Sequence, residues 1–194
     1  MSRPQCPRCQ RPSSHCLCSL IPSLDSSTQV LILQHPIETA HALNTARLAA
    51  LGLRNAQLRV GEVVTLPVDE RDNYLLFPGV DAIALESLAG GERPLRLIVP
   101  DGTWRKARRL LHLNPELAAL PRVSLPAGLV SRYRLRKAPV PGALSTIEAI
   151  VTALNILEGG GRFDQLLRPF EALIEAQIAA MGIETYQRNH GHDG

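Results

Sequence analysis

The sequence predicts an α/β domain whose mostly parallel sheet is covered by helices, preceded by a small cysteine-rich knuckle. Three observations carry this. Short apolar runs, continuous rather than alternating, recur between segments of helical spacing, the pattern of strands buried on both faces. Polar turn sequences follow several of these runs, as ligand loops do beyond the carboxyl ends of parallel strands. All four cysteines fall within the first eighteen residues.

The knuckle comes first. "CPRCQRPSSHCLC" places Cys6, Cys9, Cys16 and Cys18 as a CxxC followed six residues later by a CxC. Four thiolates at this spacing can wrap one tetrahedral ion, and zinc is the usual occupant in a reducing compartment. Two disulfides, an iron–sulfur cluster, or a set in which His15 replaces one sulfur are the alternatives. Four protein ligands leave no open position for a substrate, so the metal is expected to be structural and to supply the folding energy of this short segment. Residues 1–24 are assigned to the knuckle, 25–185 to the main domain and 186–194 to a flexible polar tail.

"STQVLILQH" runs from small polar residues into an apolar stretch and reads as a buried first strand over 29–35. "PIETAHALNTARLAALGL" follows with helical spacing, Pro36 at its entry and Gly52 at its exit. "NAQLRVG" and "NYLLFPG" read as the second and third strands, and "RLIVPDGT" as the fourth, leading into a helix from Trp104 to about Leu113. "RVSLP" is a short fifth strand. "LSTIEAIVTALNIL" opens with Glu148 three residues after Ser145, a capping-box spacing, and continues with apolar residues at i, i+3 and i+4. A last helix spans about Phe163 to Met181.

The chain has 194 residues, 15 prolines and 14 glycines, enough length for one ordinary domain with many sharp loops. No apolar run reaches the ~18 residues of a membrane span and no leader pattern opens the sequence, so a soluble cytoplasmic protein is expected. Its net charge of +3 conceals an asymmetry: eleven Lys/Arg against two acids lie between Arg93 and Lys137. Clustered positive charge suits a polyphosphate partner, since neutralising phosphates releases counterions; a solvated basic face is the alternative. Three loops combine special turn chemistry with strand ends or helix starts: "LFPG" (76–79), "PDGTW" (100–104) and "GALSTIEA" (142–149). A parallel sheet would gather them at one edge, where a small-molecule pocket is expected.

The cysteine knuckle, "HPIETAHALNTARL", "LLFPG", "PDGTWRKARRL", "SRYRLRKAP" and "LSTIEA", in that order, resemble the DTW-domain proteins, the tRNA-uridine aminocarboxypropyltransferases. The name-giving Asp-x-Thr-Trp is here Asp101-Gly102-Thr103-Trp104. The resemblance implies a fold related to the SPOUT class, with a deep trefoil knot. It also implies transfer of the 3-amino-3-carboxypropyl group of S-adenosylmethionine to N3 of a tRNA uridine, in bacterial members one of the variable loop, releasing methylthioadenosine.

That reaction sets demands on the residues. A sulfonium has three carbons open to attack, so geometry must select the γ-methylene. Uridine N3 must lose a proton, which calls for a general base. Asp101 is the first candidate; holding the donor's α-ammonium and capping the next helix are its other readings. Thr103 and Trp104 complete the candidate catalytic set, Trp104 as a stacking face for adenine or an extruded uracil, or as a core aromatic. Leu76, Phe77, Pro78 and Gly79 are assigned to the cofactor with Pro100, Asp101 and Gly102, and with Leu144, Ser145, Thr146 and Glu148, the last of which serves equally well in a capping box. Arg105, Lys106, Arg108 and Arg109, with Arg132, Arg134 and Arg136, form the expected tRNA track. The second group alternates, so an extended strand would point its three arginines one way. His35, Glu38, Asn44 and Arg47 are not placed; Asn44 and Arg47 would share a helix face. His41 is read as a surface residue. An S-adenosylmethionine-dependent RNA methyltransferase and a non-catalytic zinc-containing RNA-binding module are the rivals. A Rossmann dehydrogenase is excluded, because no GxGxxG follows the first strand.

Overall fold

A computed structural model describes residues 4–133, 135 and 142–190. Six strands form one sheet: β1 (Gln29–Gln34), β2 (Ala56–Val60), β3 (Asp72–Leu76), β4 (Ile83–Ala84), β5 (Leu95–Asp101) and β6 (Arg122–Ser124). Their order is β2-β1-β5-β3-β6-β4 and every pairing is parallel. The helices are α1 (Thr45–Gly52), α2 (Trp104–Leu113), α3 (Pro115–Ala118), α4 (Thr146–Glu158), α5 (Leu167–Met181) and α6 (Ile183–His190). β4 is two residues long, too short to leave a periodic signal.

The apolar runs are continuous because the sheet is covered twice. In β1, Val30 and Ile32 belong with Leu97 and Val99 of β5 to a core shared with α1, α4 and α5. Leu31, Leu33 and Ile98 point the other way, into a smaller core with Leu75, Leu111 and Leu117. Alternation along each strand therefore decides which helical layer a residue meets.

Three expected boundaries are corrected. The helix expected from Pro36 begins only at Thr45; residues 36–38 form a single 3-10 turn. Local side-chain bonds divert the backbone there: His35 Nδ1 accepts from the Ile37 amide, the Thr39 hydroxyl donates to the Pro36 carbonyl, and Asn44 caps α1 through the Arg47 amide. The last helix starts at Leu167 rather than Phe163, after a 3-10 segment over Arg162–Leu166. The tail expected from residue 186 is helical as far as His190, with Tyr186 packed against the main core.

The knuckle shares that core. Cys9, Leu17 and Ile21 are buried in the cluster formed by α1, α4 and α5, and Arg11 donates to the Ala42 carbonyl at 2.8 Å. At the amino-terminal edge of the sheet, Arg96 is 1% exposed and bonds Gln29 and Asn73, its register partners on the two flanking strands, and Asp69. This cation of the basic segment is an internal fastener, out of reach of any phosphate.

Candidate active site at the carboxyl edge of the sheet

Register and alternation build the centre of the site. Gln34 and Asp101 are the last residues of β1 and β5 and are partners across the ladder. Two residues beyond Ile32 and Val99, both face the α1 and α4 layer, where no apolar side chain follows and two helices begin. Gln34, fully buried, donates to Asp101 Oδ2 at 2.8 Å and to Asn44 Oδ1 at 3.1 Å. Thr146, the first residue of α4, donates its hydroxyl to Asp101 Oδ1. Asp101 is thus held by two neutral donors and, among the described residues, has no cation bonded to it. Burial pushes its carboxyl above the ordinary 3.8, against the opposing effect of the Thr146 and Gln34 hydrogen bonds, and the negative charge of Glu38 adds to the rise. A carboxylate with a raised pKa is a stronger base than a solvated one, the property a group abstracting a proton from a weak acid needs.

Thr103 is the N-cap of α2, its hydroxyl accepting from the Lys106 amide, so the capping reading belongs to Thr103 and not to Asp101. Gly102 between them has φ +145°, a region an L side chain rarely adopts. Trp104, the next residue, stands half-buried and edge-on to Phe77, ring centroids 5.3 Å apart. The Arg122 guanidinium lies 5.9 Å from the Phe77 ring centre, and a Cβ at Gly79 would come within 2.9 Å of it. The loop after β3 and the loop after β5 therefore meet through an aromatic pair beside a cation. Pro78 and Gly79 are exposed, while Leu76, the last residue of β3, and Pro100, the last but one of β5, are partly buried.

The third loop is committed differently. Ser145 is buried, and its amide and hydroxyl both donate to Glu148 Oε2, closing the expected capping box. Glu148 also accepts from the Ser131 hydroxyl and the Arg132 amide. It fastens the 131–132 segment to α4. A cavity of about 360 Å³ beside it is lined by Leu129, Leu144, Glu148, Val151, Asn155 and Leu167 among others. Two of the expected cofactor residues, Leu144 and Glu148, line it; Asp101 and Trp104 do not.

The basic residues separate into paired and unpaired. Lys106 binds Glu38 at 2.6 Å, Arg109 binds Glu62 at 3.0 Å and Arg132 binds Glu171 at 2.8 Å. Glu62 also bonds buried His35, whose Nδ1 accepts from the Ile37 amide and which therefore presents its proton on Nε2. The Arg109 guanidinium holds the Glu62 carboxyl below its ordinary range. Arg105 and Arg108 are exposed and, among the described residues, make no ion pair. Arg134 and Arg136 lie outside the described residues, and the alternation of "SRYRLR" with them. Sequence reasoning missed Gln34; its one signal was an amide closing an otherwise apolar strand. It also left Glu38 and Asn44 unplaced, because the pairing of each is long-range or depends on where α1 starts.

At the knuckle, the four sulfurs lie within 4.8 Å of one another, with Cys6 to Cys18 at 3.6 Å and Cys9 to Cys16 at 3.8 Å. A tetrahedron with metal–sulfur bonds of about 2.3 Å has sulfur–sulfur edges of about 3.8 Å, so the set fits zinc. The thiols are free rather than disulfide-linked. The backbone amides of Cys9 and Arg8 lower the Cys6 thiol to about 6, and burial pushes Cys18 up to about 12. The Cys6 thiolate forms readily, and that of Cys18 needs a cation beside it.

A carboxylate buried where two helices begin, flanked by aromatic and basic loops at the carboxyl edge of a parallel sheet, defines an α/β protein of the ligand-binding, enzyme-like class. The DTW domain profile matches residues 3–178, and the chain belongs to the DTW-domain family. The tRNA-uridine aminocarboxypropyltransferase 2 of Mus musculus is 34% identical over 192 residues, covering 91% of this chain and 64% of that protein. The protein of the same name in Drosophila melanogaster is 32% identical over 196 residues, covering 94% of this chain and 78% of its own. The tRNA-uridine aminocarboxypropyltransferase A of Arabidopsis thaliana is 27% identical over 195 residues, covering 80% and 73%. The chain thus spans less than two thirds of the mouse protein's length. No solved structure matches.

Proposed function

We propose that this protein transfers the 3-amino-3-carboxypropyl group of S-adenosylmethionine to N3 of a uridine in the variable loop of tRNA. The observation that carries the reading is Asp101: the carboxylate of the family's motif, buried, raised in pKa and aimed by Gln34 and Thr146. In the reaction the Asp101 carboxylate takes the N3 proton. The N3 electron pair forms a bond to the γ-carbon as that carbon's bond to sulfur breaks, and the sulfonium electrons leave as neutral methylthioadenosine. Trp104 and Phe77 offer the stacking faces for a splayed base or adenine. Four cysteines hold structural zinc at the knuckle, and their free thiols fit a cytoplasmic setting. Among the described residues no helix is long and apolar enough to cross a membrane. The SPOUT relationship and its knot enter this proposal through the family resemblance, alongside an all-parallel sheet in which β5 lies between β1 and β3.

The test is a transfer assay with unmodified tRNA and S-adenosylmethionine labelled in the carboxyl or in the methyl group. Carboxyl label alone entering tRNA is the expected result. Methyl label alone would make the protein a methyltransferase, and neither label, with tRNA still bound, would leave a binding module.

Two predictions attach to the site. Gln34→Met removes a hydrogen bond that favours the charged form of Asp101, so its pKa rises further and the acid limb of the rate profile moves to higher pH. An unmoved limb would place the titrating base elsewhere. Arg108→Ala weakens tRNA binding and reduces the slope of log affinity against log salt by about 0.7 to 0.9. The same substitution at Arg132, already paired with Glu171, is expected to do less, and titrations at several salt concentrations compare the two.

A further inference from the structure

We infer that Glu38 and Lys106 form the subsite for the zwitterionic amino-acid end of the sulfonium donor, an assignment that rests on the transfer reaction proposed above. The pair joins the turn after β1 to the first turn of α2, the two segments that leave the sheet beside Gln34 and Asp101. Its side chains are 15% and 20% exposed, turned inward from the outer face of α2 where Arg105 and Arg108 stand. It lies directly over Gly102: a Cβ there would come 3.2 Å from Lys106 Cβ and 3.6 Å from Glu38 Cγ. The charge of Glu38 reaches Asp101 and opposes its ionisation, which marks how near the pair is to the motif carboxylate.

The pair is also unsaturated. Among the described residues, Glu38 uses only Oε1 and Lys106 only one of its three ammonium donors, and that bond is to each other. A ligand with a single charge would satisfy one member and repel the other. A zwitterion carrying ammonium and carboxylate on one carbon gives each member a counter-charge: ammonium on Glu38, carboxylate on Lys106. Both charges of the amino-acid end belong to the fragment that is transferred, so a grip here fixes the γ-carbon relative to Asp101 and turns the methyl group away. Lys106 is thereby moved from the tRNA track to the donor pocket, and Asp101 is left free of the α-ammonium to act as base.

The test measures affinity by calorimetry for three compounds: S-adenosylmethionine, its decarboxylated form, and methylthioadenosine, which lacks the amino-acid end. Lys106→Met is expected to lose about 10- to 100-fold for S-adenosylmethionine, the range of a charged hydrogen bond, with the other two unchanged. Glu38→Gln is expected to lose affinity for both sulfonium compounds and to keep methylthioadenosine within two-fold. Equal losses for all three compounds would make the pair a structural staple and overturn the assignment, as would no loss for S-adenosylmethionine. Wild-type protein that transfers the carboxyl label while the variants bind normally would sink this subsite alone. A wild type that does not bind S-adenosylmethionine would sink it together with the proposed reaction.

Discussion

Asp101→Asn is expected to lower the proposed aminocarboxypropyl transfer by about 10²- to 10⁴-fold, the contribution of a positioned general base, with tRNA affinity staying within a few-fold. Asparagine keeps the shape and loses the basicity, so the single-turnover rate carries the effect. A large fall in tRNA affinity instead would make Asp101 structural. The same variant is informative on stability. The folded pKa of Asp101 lies above its ordinary 3.8 because burial disfavours the charge. Between the two values the folded chain binds a proton that the unfolded chain has released, so stability falls as pH rises through that window. Asp101→Asn removes this component, and urea midpoints measured from about pH 3.5 upward are expected to decline less steeply in the variant. The wild type would keep a carboxylate that costs stability at neutral pH because the reaction uses it.

Removing the metal is expected to have the largest effect on the fold. Cys9 is 3% exposed and sits in the main core with Leu17 and Ile21. Losing its sulfur therefore breaks a ligand set and loosens the packing of the knuckle onto α1, α4 and α5. Cys9→Ser should abolish stoichiometric zinc binding and destabilise the protein by at least about 3 kcal/mol. At roughly 3 °C per kcal/mol for a chain of this size, Tm falls by about 9 °C. A chelator should reproduce that shift in the wild type and add nothing in the variant. Unchanged melting with one equivalent of zinc lost would reduce the knuckle to an appendage, contrary to its shared core.

The paired state of the basic residues changes how the charge run is read. A count between Arg93 and Lys137 describes a strongly positive segment, yet Arg93, Arg96, Lys106, Arg109 and Arg132 each meet a carboxylate drawn from elsewhere in the chain. Among the described residues of the segment, the free charge is concentrated on Arg105 and Arg108, with Arg122 held against Phe77. Phosphate contacts are expected to follow that smaller set.

What the sequence determined by itself was most of what depends on local spacing, the start of α1 apart. Short continuous apolar runs bounded by turn residues place five of the six strands, the 3.6 period places the α2 and α4 helices, Ser145 and Glu148 announce the cap of α4, and the CxxC and CxC spacing brings four sulfurs to one point. Order-dependent motifs likewise single out Asp101, Gly102, Thr103 and Trp104, because their chemistry is written in adjacent residues. Tertiary structure alone decided what stands opposite them. Gln34 meets Asp101 across 67 residues and Lys106 meets Glu38 across 68. Both pairings follow from β5 lying beside β1 in register, a placement set by burial of two helical layers against one sheet. No local pattern carries that information: a strand's period states which residues share a face, and only the packing of the whole chain states which strand lies beside it.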